Sequence, residues 1–151
     1  METLEQRLAR KLNKKQMLIR VARGLEKADL VIKNAKYLNV FSSSWETGDI
    51  AVSGGLIAGI GDDYNGQTEI DAAGKHVIPG LIDAHWHAFL APNTTMDLMT
   101  ADESYTQLKA GREAERTLLR GFTTIRDAGG PVFGLKRAID EGIVAGPRIF
   151  P

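Results

Sequence analysis

The chain has 151 residues, with 19 Lys and Arg against 19 Asp and Glu, a hydrophobic fraction of 43% and a charged fraction of 25%. That balance belongs to one ordinary globular domain, or to a small domain joined to part of another, and it excludes collagen-like, mucin-like and wholly disordered chains. Zero net charge argues against a nucleic-acid partner. The lack of Cys excludes disulfides, thiolate metal sites and thiol nucleophiles. The apolar runs are short and broken by Gly, Asp or Pro, so no membrane span is expected. With no signal-peptide pattern at the start, the expected location is cytoplasmic.

Charge is uneven along the chain. Residues 1–27 hold eight basic and three acidic side chains, an excess of five positive charges that the remaining residues cancel. Leu4, Leu8 and Leu12, continued by Leu18, Val21 and Ala22, follow a helical period. Thr3 and Gln6 stand at capping-box spacing, and Gly24 is a reasonable stop, so residues 1–27 read as a solvated N-terminal helix. From Asp29 the pattern turns to short β-forming runs: 30–32, 37–41, 48–53, 56–61, 68–71 and 76–78. Gly54-Gly55 between two of these runs predicts a tight hairpin, because both central residues of a type I′ turn need positive φ. Residues 28–79 thus form an all-β unit. Its glycines do not make a phosphate loop, since no Gly-Lys-Ser/Thr closes one.

After Pro79 strands and helices alternate. Strands are expected near 81–85, 122–126 and 148–150. Helices are expected over 101–120, with Leu108, Ala114, Leu118 and Leu119 at helical spacing, and over 132–141, with Leu135, Ala138 and Ile139 on one face. This serial order is that of a parallel sheet with crossover helices, and the fold class is α/β.

The chemistry concentrates in His85-Trp86-His87. Side chains at i and i+2 of a strand project to one side about 6.6 Å apart, so His85 and His87 can converge on one metal ion, while Trp86 faces the core. Asp83 either orients a ligand or holds the strand end. Asp127, at the end of the second strand, either faces the site or caps the turn at Gly129-Gly130. His76 reads as an exposed strand-end residue. Lys109 and Lys136 fall on helices, away from any site.

Pro79-Gly80-Leu81-Ile82-Asp83-Ala84-His85-Trp86-His87 resembles the P-G-h-I-D-x-H-x-H motif of the amidohydrolase superfamily, and Gly48 to Gly61 with Ile70 to Lys75 resembles its N-terminal β segment. The resemblance implies that residues 28–79 belong to a small β-sandwich. Residues 80–151 would then be the first β/α units of an incomplete (β/α)₈ barrel, making the chain the N-terminal part of a metal-dependent hydrolase acting on a C–N bond of an amide, cyclic amide or amidine. It implies His85 and His87 as metal ligands, one or two divalent ions (Zn, Mn or Fe) in the complete enzyme, a small-molecule substrate and a homo-oligomer. The general base has no counterpart in this sequence beyond Asp127. Residues 1–80 resemble the adenine deaminase branch, which implies conversion of adenine to hypoxanthine and ammonia. Residues 81–151 resemble the imidazolonepropionase-related and dipeptidase-like branches. A non-catalytic assembly module is the alternative of a different class.

Overall fold

A computed structural model describes residues 3–151. The chain divides into two compact units, one ending at Pro79 and one running from Gly80 to Pro151.

The first unit opens with α1 (Leu4–Ala22), and its capping box forms as the spacing required: the Thr3 hydroxyl accepts from the Gln6 amide while the Gln6 side chain accepts from the Thr3 amide. Only the last turn is anchored. Val21 is buried with Ala28, Val31 and Ala51, whereas Leu4, Leu8 and Leu12 are exposed. The following strands are β1 (Ala28–Asn39), β2 (Ser44–Ser53), β3 (Leu56–Gly61), β4 (Gly66–Asp71) and β5 (His76–Val77). Two strands expected at 30–32 and 37–41 are one long strand with a register shift between Ile32 and Ala35. Asn34 takes φ +53 there, and the buried Asp49 carboxylate clamps the irregularity by accepting from the Asn34 amide at 3.1 Å and from Lys33 Nζ at 2.8 Å. Gly54 and Gly55 have φ +57 and +77, joining antiparallel β2 and β3 as the hairpin rule demands. Among the described residues, 28–79 build a single five-stranded mixed sheet of order β3-β2-β1-β4, in which β5 also pairs with β1. The length of β1 lets β4 and β5 add in succession, both parallel to it.

The second unit carries β6 (Leu81–Trp86), α2 (Thr95–Thr100), α3 (Glu103–Leu119), β7 (Phe122–Asp127), α4 (Phe133–Asp140) and β8 (Arg148–Phe150). The three strands lie in the order β6-β7-β8 and are all parallel, as alternation of strands and helices predicts. Ile125 and Ile149 are fully buried and pack with Ala110 and Ala114 of α3, Leu135 of α4 and Val132 just before α4. Leu108 and Leu119, expected on the buried face of α3, are instead exposed, and the helix buries Thr106, Ala110, Ala114 and Thr117. These positions repeat at i+4 and i+3, and their small side chains let the helix approach the sheet closely. At Gly146 the approach is tight enough that a Cβ would fall 2.6 Å from Ile139 Cδ1 and 3.1 Å from Ala114 Cβ. The opposite face carries Ile82 and Thr124 in register, and Ile82 is 70% exposed.

The short α2 was not expected from the sequence. It is defined by a second capping box, Thr94 with Asp97, and tied to α3 by Lys109 Nζ on Asp97 Oδ2 at 2.7 Å. The Lys109 ammonium, followed by the Thr94 amide and hydroxyl, holds the Asp97 carboxyl down to about 2 from its ordinary 3.8. A carboxyl with a depressed folded-state pKa contributes stability above its unfolded value and loses that contribution as pH falls through the folded one. The stability difference between the native chain and Asp97→Asn is therefore expected to be constant above about pH 5 and to vanish between about pH 4 and pH 2, as followed by denaturant melts at stepped pH. Among the described residues no helix is long and apolar enough to cross a membrane.

Candidate metal-binding corner at the end of the first parallel strand

His85 lies at the C-terminal end of β6 and His87 immediately beyond it. Their rings are 5.4 Å apart between centroids and inclined at 74°. Trp86 between them packs against the helix-side core, as alternation requires. His85 is exposed and His87 half-buried.

The pair is held by backbone contacts. His87 Nδ1 lies 3.1 Å from the Gly129 carbonyl oxygen. A carbonyl only accepts, so Nδ1 carries the proton and donates it, which leaves the Nε2 lone pair of a neutral imidazole available to a ligand. This is the arrangement in which metal-binding histidines have their tautomer and ring orientation fixed. The Gly129 carbonyl is presented by a turn with φ +147 at Gly129 and +123 at Gly130, a conformation that side-chain-bearing residues rarely adopt.

Asp127 sets that turn. Its carboxylate is 5% exposed and divides its two oxygens, accepting from the Ala88 amide at 2.7 Å and from the Gly129 amide at 2.9 Å. It joins the residue after His87 to the residue whose carbonyl orients His87. Asp83 holds the strand end, accepting from the His85 amide at 2.9 Å, beside a register irregularity between Asp83 and Trp86 that interrupts strict alternation. Gly80 enters β6 so close to Thr123 that a Cβ would overlap that side chain. Beyond His87, the Asn93 amide donates to the Phe89 and Thr106 carbonyls at 2.8 and 3.2 Å, pinning the loop to α3. His76 is exposed on β5, edge-on to Trp45 with centroids 4.6 Å apart.

Of the residues picked out in the sequence, the fold brings His85, His87 and Asp127 to one strand end, with Asp127 turned onto backbone amides. The Gly129 carbonyl and Asn93 were not foreseen. A backbone acceptor has no sequence signal of its own, although a Gly-Gly pair just after a strand-end Asp marks where one is presented.

The pair fits a divalent cation in its donor set. Two imidazoles are half or more of the three or four protein ligands that zinc takes, at about 2.0–2.1 Å each. Among the described residues no group of three or more His, Asp or Glu side chains is placed to hold an ion. His85 and His87 are therefore two imidazole donors at one strand end, fewer than the three or four protein ligands that zinc takes.

Residues 76–150 match the family model described as Amidohydrolase family. An adenine deaminase of Methanoregula boonei is 49% identical over 87 residues, covering 56% of this chain and 16% of that protein. An adenine deaminase of Ligilactobacillus salivarius is 57% identical over 70 residues, covering 46% of this chain and 12% of its own length. Among solved structures, a prolidase complexed with N-methylphosphonate-L-proline is similar with a TM-score of 0.70 and 33% identity, over 81% of this chain and 31% of its own. A Xaa-Pro dipeptidase with bound methionine has a TM-score of 0.67 and 27% identity, over 80% of this chain and 32% of its own. The chain thus spans 12–16% of these curated relatives and about a third of these structures.

Proposed function

Since this chain belongs to the amidohydrolase superfamily, we propose that it contributes the first-strand metal ligands of a hydrolase that cleaves a C–N bond in an amide, cyclic amide or amidine. The observation that carries this reading is the paired imidazoles of His85 and His87 at the C-terminal end of a parallel strand, with the His87 tautomer fixed by the Gly129 carbonyl. Enzymes built on parallel β/α barrels place their catalytic groups at that end of the strands. Residues 80–151 are read as the opening β/α units of such a barrel.

In this reading His85 and His87 offer their Nε2 lone pairs to zinc, manganese or iron. Bound there, the cation supplies Lewis-acid polarisation of the scissile carbon and an acidified water. The Gly129 carbonyl holds the His87 proton on Nδ1 and aims the ring. Asp127 is a positioning residue, because both its oxygens are committed to amides, and Asp83 fixes the strand end from which His85 projects. The remaining ligands and the group that moves the proton to the leaving nitrogen come from other barrel strands. Adenine is the substrate that the curated relatives favour, through identities of 49% and 57% with two adenine deaminases. Dipeptides are favoured by the structural relatives.

A graft tests this. Residues 1–151 replace the matching N-terminal segment of an adenine deaminase and, separately, of an Xaa-Pro dipeptidase. The reading expects turnover in at least one host with zinc or manganese present, and dependence of that turnover on His85 and His87. Equal turnover after both histidines are changed to alanine would refute it.

A further inference from the structure

We propose that the cleft between α1 and the β2–β3 hairpin is a binding site for a small phosphomonoester with an apolar body, separate from the histidine pair. The cleft has a volume of about 360 Å³, at the lower end of the range for ligand pockets, about 300–1,000 Å³. Its walls divide by chemistry. Leu18 and Leu56 provide apolar floor, while Lys11, Lys14 and Lys15 stand along the α1 side. None of these lysines makes a salt bridge to a carboxylate, so their ammonium groups are available to an anion.

The fourth feature is Ser53. It is 6% exposed, lines the cleft and makes no side-chain hydrogen bond. Its hydroxyl is open to the cleft, where a ligand oxygen can pair with it. One carboxylate also faces the cleft, that of Asp29, and it is engaged by the Gly54 amide at 2.6 Å. Three ammonium groups against one carboxylate leave an excess of two positive charges. A phosphomonoester carries about −1.5 to −2 at neutral pH, which matches that excess better than a single carboxylate does. The apolar floor asks for a hydrocarbon or aromatic body attached to the phosphate.

The probe is 1-naphthyl phosphate, followed by its fluorescence and by isothermal titration calorimetry on the full chain at low ionic strength, with inorganic phosphate and 1-naphthol as separate arms. The expected result is saturable binding of 1-naphthyl phosphate about tenfold or more tighter than either half. Lys11→Gln with Lys14→Gln should weaken it about tenfold or more, and Ser53→Ala several-fold. The lysines are solvent-facing, so the double variant should keep its circular dichroism. Equal affinity for inorganic phosphate, retention of binding in the double lysine variant, or no binding at millimolar concentration would each overturn the proposal. Binding that survives Lys11→Gln and Lys14→Gln but is lost in His85→Ala plus His87→Ala would place the ligand at the histidine pair instead.

Discussion

In a graft that turns over, His87→Ala is expected to lower kcat/KM about a thousandfold or more, and His85→Ala to do the same. The size follows from how such sites work. Residues that act as one unit lose nearly all of the effect when one is removed, and the losses are not additive. The double variant should therefore be little worse than either single variant. His87→Gln keeps polarity and approximate volume but offers a weaker amide ligand, so it should recover little. The measurement is steady-state kinetics on adenine and on Xaa-Pro dipeptides, with metal content determined in parallel. The 151-residue chain alone is expected to give no turnover above buffer with either substrate, because two imidazoles do not complete a ligand set. It is also expected to self-associate, since Ile82 and Phe150 on the short parallel sheet are 70% and 54% exposed and open strand edges invite pairing.

Asp127→Ala is expected to destabilise the second unit by about 3 kcal/mol, with urea unfolding followed by fluorescence as the check. Its carboxylate accepts two amide hydrogen bonds in a site that is 5% exposed. Removing it leaves the Ala88 and Gly129 N–H groups without their acceptor. Hydrogen bonds to a charged group are worth about 1.5–3 kcal/mol each, and some relief comes from water entering the space. Asp127→Asn is nearly isosteric but can present only one oxygen, so it turns an N–H toward one of the two amide donors and should recover less than half of the loss. Because those amides bracket the His87–Gly129 contact, either change should also loosen the imidazole. Metal affinity in the graft would then fall about 10- to 100-fold, the usual cost of losing a group that supports a ligand.

Most of the second unit was legible in the sequence because its signals are local and repeated. Parallel strands at 81–85, 122–126 and 148–150 followed from apolar runs alternating with helical periods, and the His-x-His geometry followed from strand alternation around Trp86. The hairpin at Gly54-Gly55 was legible for the same reason, since both central residues of the turn need positive φ and Gly takes it without steric cost. What was not legible depended on distant partners. The long β1 read as two strands because Lys33-Asn34 breaks the apolar pattern, and its continuity rests on Asp49, fifteen residues away in the chain. Leu108 and Leu119 read as core because size dominates a periodicity count, yet the space beside β7 admits only Ala110, Ala114 and two threonines. α2 is six residues long and too short for a period to show, although Thr94-x-x-Asp97 is a visible cap. In the site, both readings of Asp127 were open from sequence, and the structure shows its oxygens committed to the Ala88 and Gly129 amides.

The central claim is that His85 and His87 share one cation through their Nε2 atoms, and nitrogen-15 NMR of the three imidazoles during zinc titration tests it most directly. The Nε2 signals of His85 and His87 are expected to move together along one binding curve, weak enough that zinc is lost on gel filtration, while His76 on β5, edge-on to Trp45, stays in place. His85→Ala should abolish the shift at His87. Zinc retained tightly at one per chain after both histidines are replaced, or His85 and His87 titrating independently of each other, would contradict it.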